Sequence, residues 1–258
     1  MLLTLLFHQI NPPDPVVLEE KLLFLKQNFP ILLPGDKIQP FKTSLFLTFD
    51  DAYFDFYHYI FPLLKKLQIK ALLAVPAGFV LEKPALSPKE RLALLLKNNH
   101  TNKYNNVFQE HTKEAFCTFE ELREMVQSGL VEIASHSYSH ANLVSQEQKN
   151  HRTNLDKEIN LEKEVVGSKE LLKSKLGYPV KTFVYPYGRF DASVHAYVKQ
   201  HYQYVLRIGS ALNFSWQNFS GLIYRQNITN FNLLESSLQK RRYLPYVGCY
   251  LLNILRGR

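Results

Sequence analysis

The chain has 258 residues, a hydrophobic fraction of 46% and a formal net charge of +8. These figures suit one sizeable domain and exclude a wholly disordered chain; the two cysteines, Cys117 and Cys249, are too far apart for a disulfide framework and lack metal-binding spacing. No apolar run is long enough to cross a bilayer, and Lys and Arg are scattered without a nucleic-acid motif, so no nucleic-acid partner is expected.

In chain order, Met1 to His8 is an apolar run with no basic leader and no small-residue cleavage site before Asn11-Pro-Pro-Asp-Pro, so it is not expected to be an export signal. Pro15 to Asn28 carries a helical pattern, with Leu18, Leu22 and Leu25 on one face. Leu45 to Asp50 reads as a buried strand ending in adjacent carboxylates, Asp50 and Asp51. A buried carboxylate needs a partner, and α/β folds place their sites at the carboxyl ends of strands. The pair serves either as such a site or as a cap for the next helix, Phe54 to Leu67. Ala71 to Pro76 is the following strand. Residues 81–117 form an insertion, helical around Pro88 to Leu96 and Asn-rich from Asn98 to Gln109; it either lines a cleft or runs as a mobile surface loop.

Thr118-Phe-Glu-Glu is a capping box for a helix that closes at Gly129. The strand Leu130 to Ala134 then runs into Ser-His-Ser-Tyr-Ser-His, bringing His136 and His140 to a spacing of four. Two imidazoles and one carboxylate make a three-ligand divalent metal site with positions left open for water and substrate. Ser137 could fix this loop through a hydroxyl bond to nearby backbone. Residues 156–176 form a charged amphipathic helix. Thr182 to Gly188 is a strand entering a turn at Pro186, which can aim the Tyr187 N–H into the same cleft. Phe190 to Gln200 is a surface helix with Asp191 as N-cap.

Thr-Phe-Asp-Asp at 48–51, His-Ser-x-x-His at 136–140 and Tyr-Pro-Tyr-Gly at 185–188 together resemble the polysaccharide deacetylase family, also called the NodB-homology or carbohydrate esterase family 4 domain. Phe7-His8-Gln9-Ile10 is similar to the segment that opens many members, and the likeness covers roughly residues 1–230. It implies an α/β fold, a single-domain distorted (β/α)7-type barrel over residues 1–235, with Met1 to His8 as its first strand and a basic-apolar tail at 236–258. It implies that Asp51, His136 and His140 hold one divalent metal ion, zinc first, with iron, cobalt or nickel also suited. Asp50 would be the general base, the Tyr187 N–H the oxyanion donor, and Tyr53, Pro186 and Tyr187 would contact substrate.

The sequence departs from the common pattern in three places. No late Leu-x-His motif follows Gly188, where only His195 and His201 remain; His8 matches a first-strand histidine that fills the general-acid place in one branch, and a buried structural histidine is the other reading. Val184 stands where an arginine usually steadies the base, and Arg225, in Leu-Ile-Tyr-Arg-Gln-Asn-Ile, is the candidate to supply that charge. Ala52 replaces a glycine. The implied reaction removes acetyl from an N-acetylated sugar of a polysaccharide, glycolipid or lipid-linked glycan precursor. Hydrolysis of another amide or an O-acetyl ester competes with it, as does a carbohydrate-binding relative without catalysis. Whether His8 and Arg225 reach the Asp50–Asp51 cleft separates these. A cytoplasmic protein is expected. Its tail, from Gln239 onward, either packs onto the barrel or touches the anionic inner face of the plasma membrane.

Overall fold

The computed structural model describes residues 1–9, 15–99, 108, 112–144, 159–209, 213–218 and 220–228. The tail at 236–258, most of the Asn-rich part of the insertion and residues 156–158 of the expected charged helix lie outside them. Seven parallel strands close a barrel in sequence order. They are β1 (Leu2–Phe7), β2 (Ser44–Phe49), β3 (Ala71–Val75), β4 (Val131–Ser135), β5 (Thr182–Val184), β6 (Tyr204–Ile208) and β7 (Ile223–Asn227). The first strand pairs with the second from Leu2 against Ser44 to Phe7 against Phe49, and closes on β7 with Thr4 against Arg225. The fifth strand is short and meets β4 at one pair, Ser135 against Phe183.

Side chains alternate along each strand, and this two-residue period sorts the core. Leu2, Phe46, Leu72, Ala74, Ala134, Val184, Leu206 and Ile223 fill the barrel. Their neighbours Leu3, Leu5, Leu45, Leu47, Leu73, Ile133 and Phe183 face outward under the helices. Those helices are α1 (Pro15–Asn28), α2 (Phe61–Leu67), α3 (Pro88–Asn99), α4 (Phe119–Gln127), α5 (Ser168–Leu176) and α6 (Ala192–His201). Leu18, Leu22 and Leu25 of α1 are buried, as their spacing requires. The Thr118 capping box forms in full, and Asp191 caps α6 by accepting from the Val194 N–H at 3.0 Å.

Two helices open on a π turn, Phe56–Ile60 before α2 and Lys163–Gly167 before α5. Below, Trp216 plugs the amino-terminal end of the barrel, its ring centroid 5.4 Å from that of Phe46 and its Nε1–H donating to the Asp36 carbonyl at 2.7 Å. The chemistry therefore belongs at the other end, where the strands finish. Among the described residues, no helix is long and apolar enough to cross a membrane.

The insertion is anchored where it is described. Arg91 of α3 is buried, with its guanidinium forked onto Glu121 at 2.6 and 3.1 Å and donating to the carbonyls of Glu114 and Phe116. The same group stacks 3.6 Å from the Phe54 ring centroid.

Candidate active site

Asp50 prolongs β2 by one residue, its N–H donating to the Phe7 carbonyl at 2.9 Å. Its position in the alternation turns it inward, and from β7 Arg225 does the same. The guanidinium meets the carboxylate with both forks, Nη1 to Oδ1 at 2.6 Å and Nη2 to Oδ2 at 2.9 Å, and Arg225 is 0% exposed. Thr48 receives a third bond from Nη1 at 3.3 Å. Burial alone would raise the Asp50 carboxyl; the Arg225 charge, helped by His136, outweighs it and holds the group below its ordinary range. Arg225 thus places a positive charge directly against Asp50.

Asp51 and Ala52 both take left-handed backbone, at φ +70° and +52°. Asp51 therefore leaves the strand line and turns away from Arg225. Across from it, β4 ends at Ser135 and delivers His136, whose Nδ1 lies 2.8 Å from the Val184 carbonyl. A carbonyl only accepts, so Nδ1 carries the proton and Nε2 presents a lone pair. That Nε2 is 3.5 Å from Asp51 Oδ1, and the Nε2 of His140 is 3.3 Å from the same oxygen. One ligand atom from each of the three residues falls within 4.8 Å of the others. Asp51 Oδ1 is buried without a hydrogen-bond partner of good geometry, an unfavourable state unless a cation balances it. A carboxylate and two imidazoles are a fitting donor set for a divalent transition ion.

Electrostatics agree with that assignment at Asp51 and His140, whereas at His136 the uncompensated aspartate charges favour the protonated ring. Burial pushes the Asp51 carboxyl up, but the facing imidazoles overcome it and hold the group well below its ordinary range. Burial also dominates at His140, lowering it and favouring the neutral ligand form. At His136 burial lowers the imidazole, and the charges of Asp50 and Asp51 more than reverse this.

These groups line a cleft of about 780 Å³ with His8, Tyr187, Arg189 and Phe108. Tyr187 is 46% exposed and takes φ +57° in the turn after β5; its ring centroid is 4.7 Å from that of His140. Phe108, from the insertion, stacks nearly parallel on the His140 ring, 4.1 Å centroid to centroid. Two expected substrate contacts, Tyr53 and Pro186, are not among the residues that line the cleft. Tyr53, 3% exposed, packs its ring against Phe108 and Phe116, with its hydroxyl in hydrogen-bonding reach of the Asp51 carboxylate. Pro186 is buried within its turn and does not line the cleft. His195 bonds the Tyr185 hydroxyl at 3.0 Å and the Ser220 carbonyl at 2.9 Å, a structural role away from the cleft.

Asn142, Arg189, Asn227 and Phe108 are cleft residues that the sequence motifs did not single out. Asn227 carried a signal, lying two residues beyond Arg225 on the same face of β7. Phe108 carried none, since it lies in a polar stretch of no regular period.

Residues 37–205 match the profile of the polysaccharide deacetylase family. Over 105 residues the chain is 33% identical to the poly-beta-1,6-N-acetyl-D-glucosamine N-deacetylase of Escherichia coli (strain K12), a span of 41% of this chain but only 13% of that protein. A polysaccharide deacetylase from Bacillus cereus superposes with a TM-score of 0.66 at 23% identity, over 92% of this chain and 68% of that one. A de-N-acetylase from Aggregatibacter actinomycetemcomitans does so with a TM-score of 0.64 at 19% identity, over 91% and 98%. The two structures share the fold; the profile, which spans well over half of the residues and includes the aspartate pair, both loop histidines and the Tyr-Pro-Tyr-Gly turn, shows that this chain belongs to the polysaccharide deacetylase family.

Proposed function

We propose that the protein is a metal-dependent hydrolase that removes the acetyl group from an N-acetylated sugar of a polysaccharide, glycolipid or lipid-linked glycan. One observation carries the reading. Two adjacent aspartates occupy one cleft in different electrostatic settings, Asp50 forked onto Arg225 and Asp51 facing two imidazoles. Such a split gives a base and a ligand set separate duties.

Asp51, His136 and His140 would hold the ion, with zinc the first choice and iron, cobalt or nickel suited as well. When bound, a divalent ion there acidifies a water and polarises the acyl oxygen. Asp50, kept ionised by Arg225, would accept the proton of the attacking water as general base. The Tyr187 N–H faces the oxygen that gains charge; the turn's other amides, those of Gly188 and Arg189, already donate to the Tyr185 and Pro186 carbonyls. His8, on the same cleft, gives a proton to the sugar nitrogen as the C–N bond breaks, leaving acetate and a free amine. A binding role without catalysis draws no support from the site, since His8 lines the cleft and the buried Arg225 is forked onto Asp50 within it.

Acetate release from free, polymeric and lipid-linked N-acetylhexosamines, with and without added divalent metal, tests this reading. Release should require metal and fall by about 10²–10⁴-fold in Asp50→Asn, with one equivalent of metal still bound. Metal bound at one equivalent with no release from any substrate would sink it.

A further inference from the structure

Both loop residues that set the imidazole pair adopt left-handed backbone, Ser137 at φ +63° and His140 at φ +56°. Non-glycine residues hold such angles only where their surroundings impose them. Here the loop is gripped from two sides. From the turn after β3, the Ala77 N–H donates to the Ser137 carbonyl at 3.1 Å and the Gly78 N–H to the Tyr138 carbonyl at 2.7 Å. The approach is so close that a Cβ at Gly78 would lie 2.7 Å from Tyr138 atoms.

From the other side comes Glu164, 6% exposed, in the π turn that opens α5. Its Oε2 accepts from the Tyr138 N–H at 2.9 Å and the Ser139 N–H at 2.8 Å, and its Oε1 from the Ser139 hydroxyl at 2.6 Å. The turn is fixed in its own right. Ser168 bonds the Ser135 hydroxyl at 2.7 Å, and the Tyr202 hydroxyl donates to the Val165 carbonyl at 2.8 Å. A π turn carries one more residue than an α turn, and such bulges concentrate at functional sites.

We propose that Glu164 is a positioning residue for the Asp51–His136–His140 centre, locking the loop between the two histidines so that both Nε2 atoms face Asp51 before an ion arrives. The inference rests on the reading of that centre as a divalent metal site. Glu164 touches neither ion nor substrate; it acts through the Tyr138 and Ser139 backbone. A loop freed from it must order itself when the metal binds, and that cost falls on metal affinity.

Cobalt(II) titration of the full chain, followed by its visible d–d bands, tests the lock. Wild type should take one equivalent. Glu164→Ala, folded by far-UV circular dichroism, should bind about 10–100-fold more weakly and with altered bands. Glu164→Gln keeps a carbonyl oxygen for the two N–H groups and should recover most of that affinity. A folded Glu164→Ala with wild-type affinity and spectrum overturns the proposal. Should Glu164→Ala not fold, Ser139→Ala removes one of the three bonds and should weaken binding about threefold to tenfold, the worth of a single hydrogen bond; unchanged affinity there overturns it equally. No cobalt bound by wild type would instead remove the metal reading itself.

Discussion

Arg225 and Asp50 form a fully buried ion pair, and breaking one differs from never having made it. Removing the guanidinium strands a carboxylate in a low-dielectric pocket, so Arg225→Met should cost about 3–5 kcal/mol in urea unfolding at pH 7. The sign of the pH effect follows from the Asp50 carboxyl being held below its ordinary value, about 3.9. Its contribution to stability is complete above that value and is lost as pH falls through the lower native one. Without Arg225 the native value rises, so the acid limb of the activity profile should move to higher pH; an unmoved limb would rule out Arg225 as the partner that keeps the base ionised. Arg225 entered from the sequence only through the family pattern, as the candidate in Leu-Ile-Tyr-Arg-Gln-Asn-Ile to supply the charge absent at Val184. That Tyr53 packs its ring in an aromatic cluster while keeping its hydroxyl against Asp51 was not legible, since the left-handed backbone at Asp51 and Ala52 decides it. Local backbone of that kind leaves no mark on hydrophobic periodicity.

Among the elements, the second to fifth strands and most helices followed from their patterns and the capping box at Thr118 from four letters, whereas β1 followed only from the family likeness and β6 was not singled out. The π turns at Phe56–Ile60 and Lys163–Gly167 did not, since one extra residue per turn barely disturbs a helical apolar stripe. Arg91 was equally silent, reading as one more charge on an amphipathic helix when it is the anchor of the insertion. It shares Glu121 with the capping box, where Glu121 Oε2 also accepts from the Thr118 N–H at 2.8 Å. Arg91→Met should therefore destabilise by about 3–5 kcal/mol, and Arg91→Met combined with Glu121→Gln by less than the sum of the two. Denaturant midpoints at constant slope give the comparison; strict additivity would show that the pair is not coupled.

At the scale of the whole molecule, one end of the barrel is closed and the other reactive. Glu132, partly buried on β4, belongs to neither the cleft nor a salt bridge among the described residues. Burial pushes it up to about 7, against a bond from the Thr182 hydroxyl at 2.9 Å and the charge of Lys181. Between its unfolded value, about 4.3, and that native value, the folded chain binds the extra proton, so stability falls as pH rises across this window and is level above it. Glu132→Gln removes the ionisation and should gain about 1–3 kcal/mol over wild type at pH 8, with little gain at pH 5. Equal gains at both values would place the effect in packing instead.

The pairing of β7 with β1 has a consequence in time as well as in space. The three converging donors all lie between residues 51 and 140, whereas the guanidinium that serves Asp50 sits 175 residues further along the chain. During synthesis the ion-facing set is therefore available long before the base has its fixed partner. Among the described residues the last strand to emerge carries that partner, so the same stitch that closes the barrel gives the proposed base its fixed charge.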